Sequence, residues 1–417
     1  TGEDRFLNFS ENTKSLYEWD TEIVIGRRRG VSGHMFAYFA MCVAQMELYR
    51  VTGDPVLLEQ TEQAMDFFLA QDGLTITGSA GQREIWTDDQ DGENELGETC
   101  ATSYQVRVYE DLLRLSGDAL YGDLIERTMY NGLFGAQSPD GNQLRYYTPF
   151  EGERHYYQHE HMCCPGNFRR VISELPGMAY YYTAQNGIAV NLYTASSATI
   201  AMTDGFELKI KQETNYPTSG HVELSISPDQ ARVFPLSLRI PAWANDVKIT
   251  VNNEKLDQEI ISGTFLSIER EWKENDKVVI EFPMDIRFVQ GRKRNAGRVA
   301  LMRGPVIYGL NLESNPEATN NGERSYEDLR RILLDPATLE GPFADASVRP
   351  DGTALSIKAW RENNSGKADR KHEFTLKLSE FPDPGSQFIY FKIPDYSIEV
   401  ADELVREDFL TTALLKN

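Results

Sequence analysis

The spacing of apolar residues changes near residue 186 and divides the chain into two kinds of structure. Before that point apolar residues recur at helical intervals, and over 35–51 they cover most of the helix circumference, which is typical of a buried helix. Two long segments interrupt the helical runs, 71–97 rich in Gly, Asp and Glu and 136–162 rich in Gly, Tyr and His. Loops of this length are usually functional or disordered, and their aromatic and titratable residues favour function.

A helical hairpin occurs twice in the first part of the chain. The turn Thr52-Gly53-Asp54 has a counterpart in Ser116-Gly117-Asp118, 64 residues later. In each turn Gly ends one helix and Asp caps the next. Such repeats predict a stacked or toroidal all-α domain, yet residues 32–183 hold about five helices, whereas a closed (α/α)6 barrel needs about twelve. We therefore expect an open stack, or a barrel whose N-terminal part is absent from this chain.

The second part of the chain alternates apolar and polar residues in short runs separated by turns. This period is typical of β-sandwiches. We expect a helical domain over 1–184, a β-sandwich over 185–297 and a second β-sandwich over 298–417, with no catalytic signature in either sandwich. The alternating runs are 188–193, 206–211, 221–226, 236–240, 247–251, 277–282, 298–302, 306–310, 355–360, 373–378 and 388–393.

Composition and charge narrow the classes of partner. Hydrophobic residues make up 41% and charged residues 25% of the chain, as in ordinary globular proteins. The 42 Lys and Arg against 64 Asp and Glu give a formal charge of −22, so we expect no nucleic-acid partner. No apolar run reaches the roughly 18 residues that a membrane helix needs, so we expect no membrane span.

Three of the four cysteines lie in two short segments that each begin a helical run. Cys100 follows Glu98 by two residues, and Cys163 adjoins Cys164. Zinc takes four ligands from thiolate, imidazole and carboxylate, and helix N-termini favour thiolate. These four residues are therefore a candidate zinc site. The alternative is that the thiols are simply reduced, buried cysteines near a helix end.

Other titratable residues in the two long segments leave further choices open. His155, His159 or His161 could ligate the same ion in place of Glu98, or could bind substrate. Glu84 precedes Trp86 by two residues, and a carboxylic acid beside an indole ring can act first as general acid and then as general base. The alternative is that Glu84 is one of many acids in an acidic loop.

Several short motifs, taken in order, resemble glycoside hydrolase family 127, the β-L-arabinofuranosidases and their close relatives. The resemblance covers roughly residues 30–183 and extends more loosely through the first sandwich to 299–305. The motifs are Gly33-His34 at a helix that ends in Leu48-Tyr49-Arg50-Val51-Thr52-Gly53-Asp54, then Glu84-Ile85-Trp86, Glu98-Thr99-Cys100-Ala101, Tyr146-Tyr147-Thr148-Pro149 and Cys163-Cys164-Pro165-Gly166-Asn167.

The resemblance implies a fold and a set of residue roles. It implies an (α/α)6 barrel followed by β-sandwiches, with the first barrel helices missing here. The zinc would be held by Glu98, Cys100, Cys163 and Cys164. Cys163 would be the nucleophile of a retaining hydrolysis and Glu84 its acid and base, with sulfur in place of the usual carboxylate. His34 and Tyr146 would contact the sugar.

The expected function is therefore a zinc-dependent retaining glycosidase that acts on terminal β-L-arabinofuranosides of plant-type glycans. One alternative keeps the fold and changes the sugar, for example to an acidic deoxy-sugar of pectin. Another is a non-catalytic carbohydrate-binding protein with a structural zinc. The expected location is the periplasm or cytoplasm of a bacterium, and the oligomeric state is open, a homodimer being one expectation.

Overall fold

The chain begins with a helical region and continues into strands. In this computed structural model the described residues are 2–13, 31, 33–157, 163–203, 205–319, 326–362, 372–394 and 398–404. Within them, no helix is both long and apolar enough to cross a membrane. The α-helices are α1 (Asp4–Asn12), α2 (Met35–Thr52), α3 (Glu59–Ala70), α4 (Thr99–Ser116), α5 (Ala119–Thr128), α6 (Cys163–Glu174) and α7 (Tyr326–Leu329).

The two predicted hairpins are confirmed. Gly53 and Gly117 follow α2 and α4 with φ of 71° and 69°, the left-handed conformation that favours glycine. A Cβ at either glycine would meet nothing within 4 Å, so the backbone conformation and not the available space requires glycine. Asp54 and Asp118 then accept hydrogen bonds from backbone N–H groups of the following helical turn.

Helix α4 lies at the centre of the helical region. It packs against α2, α5 and α6, and the four helices contribute to one hydrophobic core. Helix α6 ends at Glu174, because Pro176 cannot continue an α-helix, and a 3-10 turn follows at Leu175–Met178. The (α/α)6 barrel stays a prediction, since the described helices form a layer around α4.

The described strands overlap every alternating run in the sequence, the run 388–393 only at Phe388, and eight of the strands match no predicted run. The full set of described strands is β1 (Tyr180–Tyr182), β2 (Ile188–Val190), β3 (Ser196–Ala201), β4 (Glu207–Thr214), β5 (His221–Pro228), β6 (Arg232–Ile240), β7 (Lys248–Val251), β8 (Glu254–Lys255), β9 (Thr264–Trp272), β10 (Asp276–Glu281), β11 (Ile286–Gln290), β12 (Val299–Arg303), β13 (Val306–Asn311), β14 (Ile332–Leu334), β15 (Glu340–Ala344), β16 (Thr353–Arg361), β17 (Phe374–Glu380), β18 (Ser386–Phe388) and β19 (Val400–Ala401).

The first group of strands forms two facing sheets. A four-stranded sheet in the order β1-β2-β6-β9 faces a six-stranded sheet in the order β3-β4-β5-β10-β7-β8. Inward residues of both sheets, such as Leu236 of β6 and Leu224 of β5, share one core. The alternation of buried and exposed residues along β4 and β5 places one face of the sheet toward this core, as expected for a sandwich.

The second group of strands forms one sheet where a two-sheet sandwich was predicted. Nine strands are hydrogen-bonded together, with β14-β16-β17-β13-β12-β11-β19 as the main path and β15 and β18 pairing beside it. Phe288 near one end and Ile332 near the other lie in the same core, so the sheet curves around it. Alternation marks strands but cannot show which strands pair across a long stretch of sequence.

Strand pairing also bears on the predicted domain limits. Strand β11 pairs with β12, Ile286 lying opposite Arg303, and so belongs to the nine-stranded sheet although it precedes residue 298. The limits 1–184, 185–297 and 298–417 stay predictions.

The opposite face of the nine-stranded sheet covers the loops of the helical region. Val289 and Met302 of this face lie in one buried cluster with Ile76, Leu96 and Phe150. These last three residues come from the two long segments that separate the helices. The sheet therefore supports the loops that carry the candidate site.

A buried ion network joins the helical region to the first sandwich. Arg239 of β6 is buried and donates to Asp123 and, over 2.9 Å, to Glu126, both on α5. Gly122 of α5 lies against this side chain, and a Cβ there would be 2.4 Å from Arg239 Cδ. Glycine is therefore required by this close approach of helix and strand.

A second ion network joins the helical region to the nine-stranded sheet. Glu403 accepts hydrogen bonds from Arg127 of α5 and Arg287 of β11. Burial alone would raise the pKa of Glu403, but the two guanidinium groups outweigh it and lower the pKa to about 2.

Candidate active site

The turn that carries Glu84 is tied to the start of α2. His34 caps α2 by accepting a hydrogen bond at Nδ1 from Ala37 N over 3.3 Å, and Met35 N donates to the Glu84 carbonyl over 2.9 Å. The φ angles of Arg83 and Glu84 are 50° and 66°, in the left-handed region that non-glycine residues rarely adopt. Such strain is concentrated at functional sites, and here it aims the Glu84 carboxyl back at His34, whose Nε2 lies 3.3 Å away.

Tyr146 holds the Glu84 carboxyl from the other side. Its hydroxyl donates a hydrogen bond to Glu84 Oε1. Burial raises the pKa of the Tyr146 phenol, and the bond to Glu84 raises it further, so the hydroxyl remains a donor at neutral pH. The backbone carbonyl of Tyr146 accepts from Thr99 N over 2.9 Å, which fixes this segment beside the start of α4.

Trp86, expected to set the environment of Glu84, points elsewhere. Its ring packs with Tyr38, Phe39 and two further phenylalanines in the helical core. The left-handed turn at Glu84 breaks the regular alternation of side chains, so residues two apart face different surroundings. Tyr146 and His34 are therefore the neighbours of the Glu84 carboxyl.

A carboxylate and three thiols converge beside this turn. Glu98 and Cys100 lie at the N-terminus of α4, Cys163 and Cys164 lie on α6, and α4 packs against α6. One ligand atom from each residue lies within 4.8 Å of the others, and Cys100 Sγ is 3.3 Å from Cys164 Sγ. Three of the four side chains are buried and Cys163 is exposed. This arrangement is a donor set that can hold a metal ion.

Burial of this set opposes negative charge on its members. Burial raises the pKa of Glu98 to about 7, with Glu84 adding to the shift. Burial also raises the pKa of Cys163 to about 11, and the bond to Cys164 followed by burial raises the pKa of Cys100. Both carboxylate oxygens of Glu98 are buried without a hydrogen-bond partner among the residues that the structure describes. Buried polar atoms are rarely left so, and a bound cation would satisfy them.

Glu98 connects the donor set to the turn that carries Glu84. A second cluster, His34, Glu84 and Glu98, also has ligand atoms within 4.8 Å of one another. Two isolated antiparallel backbone bridges position these residues: Glu98 pairs with Tyr147, and His34 pairs with Ile85. The structure thus brings together the seven residues to which the resemblance gives a role: His34, Glu84, Glu98, Cys100, Tyr146, Cys163 and Cys164.

Of the three histidines in the second long segment, the structure describes His155. His155 is exposed, lies 3.9 Å from Glu153, and belongs to neither cluster. His159 and His161 lie outside the described residues. Glu98, and not His155, is the fourth member of the donor set within the described chain.

One contact of the donor set was not predicted. Asn167 is buried and donates from Nδ2 to Cys100 Sγ over 3.2 Å. Arg170 donates to Asn167 Oδ1 over 3.0 Å and to the Tyr104 hydroxyl over 2.8 Å, which fixes the orientation of the amide. The available signal was the position of Asn167 four residues after Cys163, on the same side of α6.

Comparison with known proteins connects this geometry to one family. The model described as the β-L-arabinofuranosidase, GH127 catalytic domain, matches residues 1–177, and that of the GH127 middle domain matches residues 187–284. A non-reducing end β-L-arabinofuranosidase of Bifidobacterium longum subsp. longum is 27% identical over 313 residues. That match covers 68% of this chain and 46% of the relative, so the chain spans about half of the relative's length.

Solved structures share the fold over nearly the whole chain. A GH127 β-L-arabinofuranosidase from Geobacillus stearothermophilus T6 matches with a TM-score of 0.79 and 25% identity, over 94% of this chain and 70% of that one. A second GH127 β-arabinofuranosidase matches with a TM-score of 0.80 and 25% identity, over 95% and 67%. A protein described as a glycoside hydrolase matches in fold, with a TM-score of 0.82 and 22% identity, over 95% and 73%.

Proposed function

The chain belongs to glycoside hydrolase family 127, and from this premise we propose that it removes terminal β-L-arabinofuranosyl units from plant-type glycans with retention of configuration. The observation that carries the proposal is that the exposed Cys163 thiol lies near the Glu84 carboxyl, which a hydrogen bond from Tyr146 holds in place. Cys163 is the exposed member of the donor set, and both it and Glu84 have ligand atoms within 4.8 Å of one in Glu98. A nucleophile and a proton donor around one small space are what a two-step displacement needs.

The metal that fits the donor set best is Zn²⁺. Thiolate and carboxylate are both ligands that zinc takes, four in all, and the partnerless buried oxygens of Glu98 are consistent with a cation there. Glu98, Cys100, Cys163 and Cys164 would hold it. When bound, zinc keeps sulfur ionised and makes it a better leaving group.

Cys163 and Glu84 would carry out the chemistry in two steps. The Cys163 sulfur attacks the anomeric carbon and forms a C–S bond as the glycosidic C–O bond breaks, and Glu84 gives its proton to the departing oxygen. Glu84 then takes a proton from water, whose oxygen attacks the same carbon and releases the sulfur. Two inversions leave the configuration unchanged.

Tyr146 and His34 would position this acid and contact the sugar. The Tyr146 hydroxyl donates to Glu84 Oε1 and holds the carboxyl in one orientation. Since His34 Nδ1 accepts from Ala37 N, the neutral ring carries its proton on Nε2, which faces Glu84 and Glu98. A donor at this position suits a sugar hydroxyl or the carboxylate form of Glu84.

The experiment compares cysteine variants on a panel of nitrophenyl glycosides. Cys163→Ala and Glu84→Gln should abolish turnover of the β-L-arabinofuranoside, and Cys42→Ala should keep it, because Cys42 is a buried thiol in the helical core, apart from the donor set. NMR of the first product should show the retained anomer, and metal analysis should find about one zinc per chain. Full activity of Cys163→Ala contradicts the assignment of the nucleophile.

The same panel separates the alternatives. Turnover of an acidic deoxy-sugar glycoside alone would replace the substrate and keep the mechanism. Bound zinc and glycan affinity without any turnover would indicate a carbohydrate-binding protein with a structural metal. The exposure of Cys163 favours catalysis, since structural zinc sites are normally closed to solvent.

A further inference from the structure

A large cavity adjoins the candidate active site. It has a volume of about 1060 Å³, and its lining includes Tyr146, Tyr147 and Tyr326 at the start of α7. Tyr146 both lines this cavity and donates to Glu84, so the cavity and the candidate active site share this side chain. Ligand pockets usually measure roughly 300–1,000 Å³, so this one has room for more than a single sugar.

Aromatic rings line the cavity along its length. The rings of Tyr146 and Tyr147 have centroids 4.6 Å apart, and those of Tyr146 and Tyr157 are 5.8 Å apart. Tyr156 and Tyr326 also line the cavity. Tyrosine offers an apolar ring face for the C–H groups of a sugar and a hydroxyl for its oxygens.

The side chains of Tyr156 and Tyr326 already have contacts within the protein in the absence of a ligand. Buried Arg145 donates to the Tyr156 hydroxyl over 2.9 Å, and its guanidinium lies 4.2 Å from the Tyr156 ring centre. A Cβ at Gly152, whose φ is +117°, would lie 3.9 Å from the Tyr326 hydroxyl, so the Tyr326 side chain lies close over glycine backbone. A preformed surface binds an extended ligand without the entropic penalty of ordering it.

Helix α7 is anchored beside the same loop. Arg330, immediately after α7, donates to Glu151 over 2.5 Å and to Glu93. Glu151 and Glu93 also line the cavity and pair with each other as neighbouring extended residues. The segment before β14 of the nine-stranded sheet thereby supplies the far wall of the cavity.

The charges that face the cavity disfavour an anionic ligand. Glu93, Glu95, Glu151 and Glu153 line it, and Arg83, which lies 2.9 Å from Glu95, is the guanidinium among the lining residues. The cations nearby are engaged elsewhere: Arg330 by two of these carboxylates, and buried Arg145 and Arg154 by backbone carbonyls of the chain. A uronate would meet more carboxylates than free cations.

We propose that this cavity binds the further units of a neutral oligosaccharide whose terminal sugar lies between Cys163 and Glu84, with Tyr326 stacking on a distal unit. This inference rests on the proposed function and extends it to the class of substrate, which is a neutral chain of several sugars. It also gives the nine-stranded sheet region a direct part in binding.

The test measures binding and does not require hydrolysis. Neutral arabino-oligosaccharides of one to four units, ending in a β-L-arabinofuranosyl group, are titrated calorimetrically into Glu84→Gln. Affinity should rise with length, and adding Tyr326→Ala should remove roughly three- to tenfold of that gain, as expected for one aromatic contact. Tyr326→Phe, which keeps the ring, should retain most of it.

Two controls make the outcomes decisive. Tyr182→Ala removes an exposed tyrosine of β1 outside the cavity and should leave the gain intact. A tetra-galacturonate should bind more weakly than the neutral chain. Affinity that does not change with length, an unaffected Tyr326→Ala, or equal binding of the uronate overturns the inference. Length-dependent binding through Tyr326, together with no turnover of the same oligosaccharides by the wild-type protein, would instead overturn the proposed function and keep this site.

Discussion

The hydroxyl of Tyr146 offers the sharpest single-atom test of the site. Tyr146→Phe removes the donor to Glu84 Oε1 and leaves a ring of the same shape between Tyr147 and Tyr157, at 4.6 and 5.8 Å. Packing is therefore retained, and the change is confined to the orientation and stabilisation of one carboxyl group.

The expected size of the effect follows from the exposure of Glu84. A hydrogen bond to a charged group contributes roughly 1.5–3 kcal/mol, and its loss is smaller where water can replace the donor. The Glu84 side chain is 30% exposed, so we take the lower end, about 1.5 kcal/mol. At about 1.4 kcal/mol per factor of ten, kcat/KM should fall by about tenfold.

The measurement is steady-state kinetics on a nitrophenyl β-L-arabinofuranoside, with circular dichroism and metal content recorded for each protein. Tyr147→Phe is the matched control, because it removes a hydroxyl from the adjacent ring that also lines the cavity. It should change kcat/KM less than Tyr146→Phe. A Tyr146→Phe enzyme within twofold of the wild type, with fold and metal unchanged, would refute the positioning role.

Three further predictions concern stability and metal retention. Arg239→Met leaves Glu126 buried without its guanidinium and should lower the free energy of unfolding by about 3–5 kcal/mol; the thermal midpoint should fall, and adding Glu126→Gln should restore part of it. Glu403, with its pKa lowered from 4.5 to about 2, stabilises the fold above about pH 4.5, and this contribution is lost as pH falls toward 2. Glu403→Gln should therefore be about 3 kcal/mol less stable at pH 7 and converge with the wild type near pH 2; equal denaturation midpoints at both pH values would contradict this. Asn167→Ala removes the donor to Cys100 and should weaken metal affinity by roughly 10- to 100-fold in a chelator competition, whereas an unchanged titration would show that the amide has no such role.

The sequence was informative wherever the signal was local. The turn at Gly53 and Asp54 could be placed because a left-handed glycine and a capping aspartate act within a few residues. The sequence also showed Glu98 and Cys100 close together at one predicted helix start, and Cys163 and Cys164 at another. Their convergence required only that α4 and α6 be neighbours.

What the sequence did not reveal depends on contacts between distant segments. Strand β11 is not among the predicted alternating runs, and its pairing with β12 assigns it to the nine-stranded sheet. The bond from Asn167 to Cys100 and the approach of Tyr326 to Gly152 join residues far apart in the chain, and local spacing does not identify such partners. Trp86 misled for a different reason, since a left-handed turn at Glu84 changed the face on which it lies.

The curved sheet behind the loops has a consequence for how such proteins can diverge. The sheet face that carries Val289 and Met302 shares a buried cluster with Ile76, Leu96 and Phe150. The segment between β13 and β14 contributes Tyr326 to the cavity. If the C-terminal module were replaced by that of a relative, the new sheet would change the residues that pack against the loops of the candidate site. It would change the sugar contacts at the same time. We therefore expect new specificities in this architecture to need substitutions on both sides of the interface between the sheet and the loops. Exchange of the module alone should give hybrids with low activity.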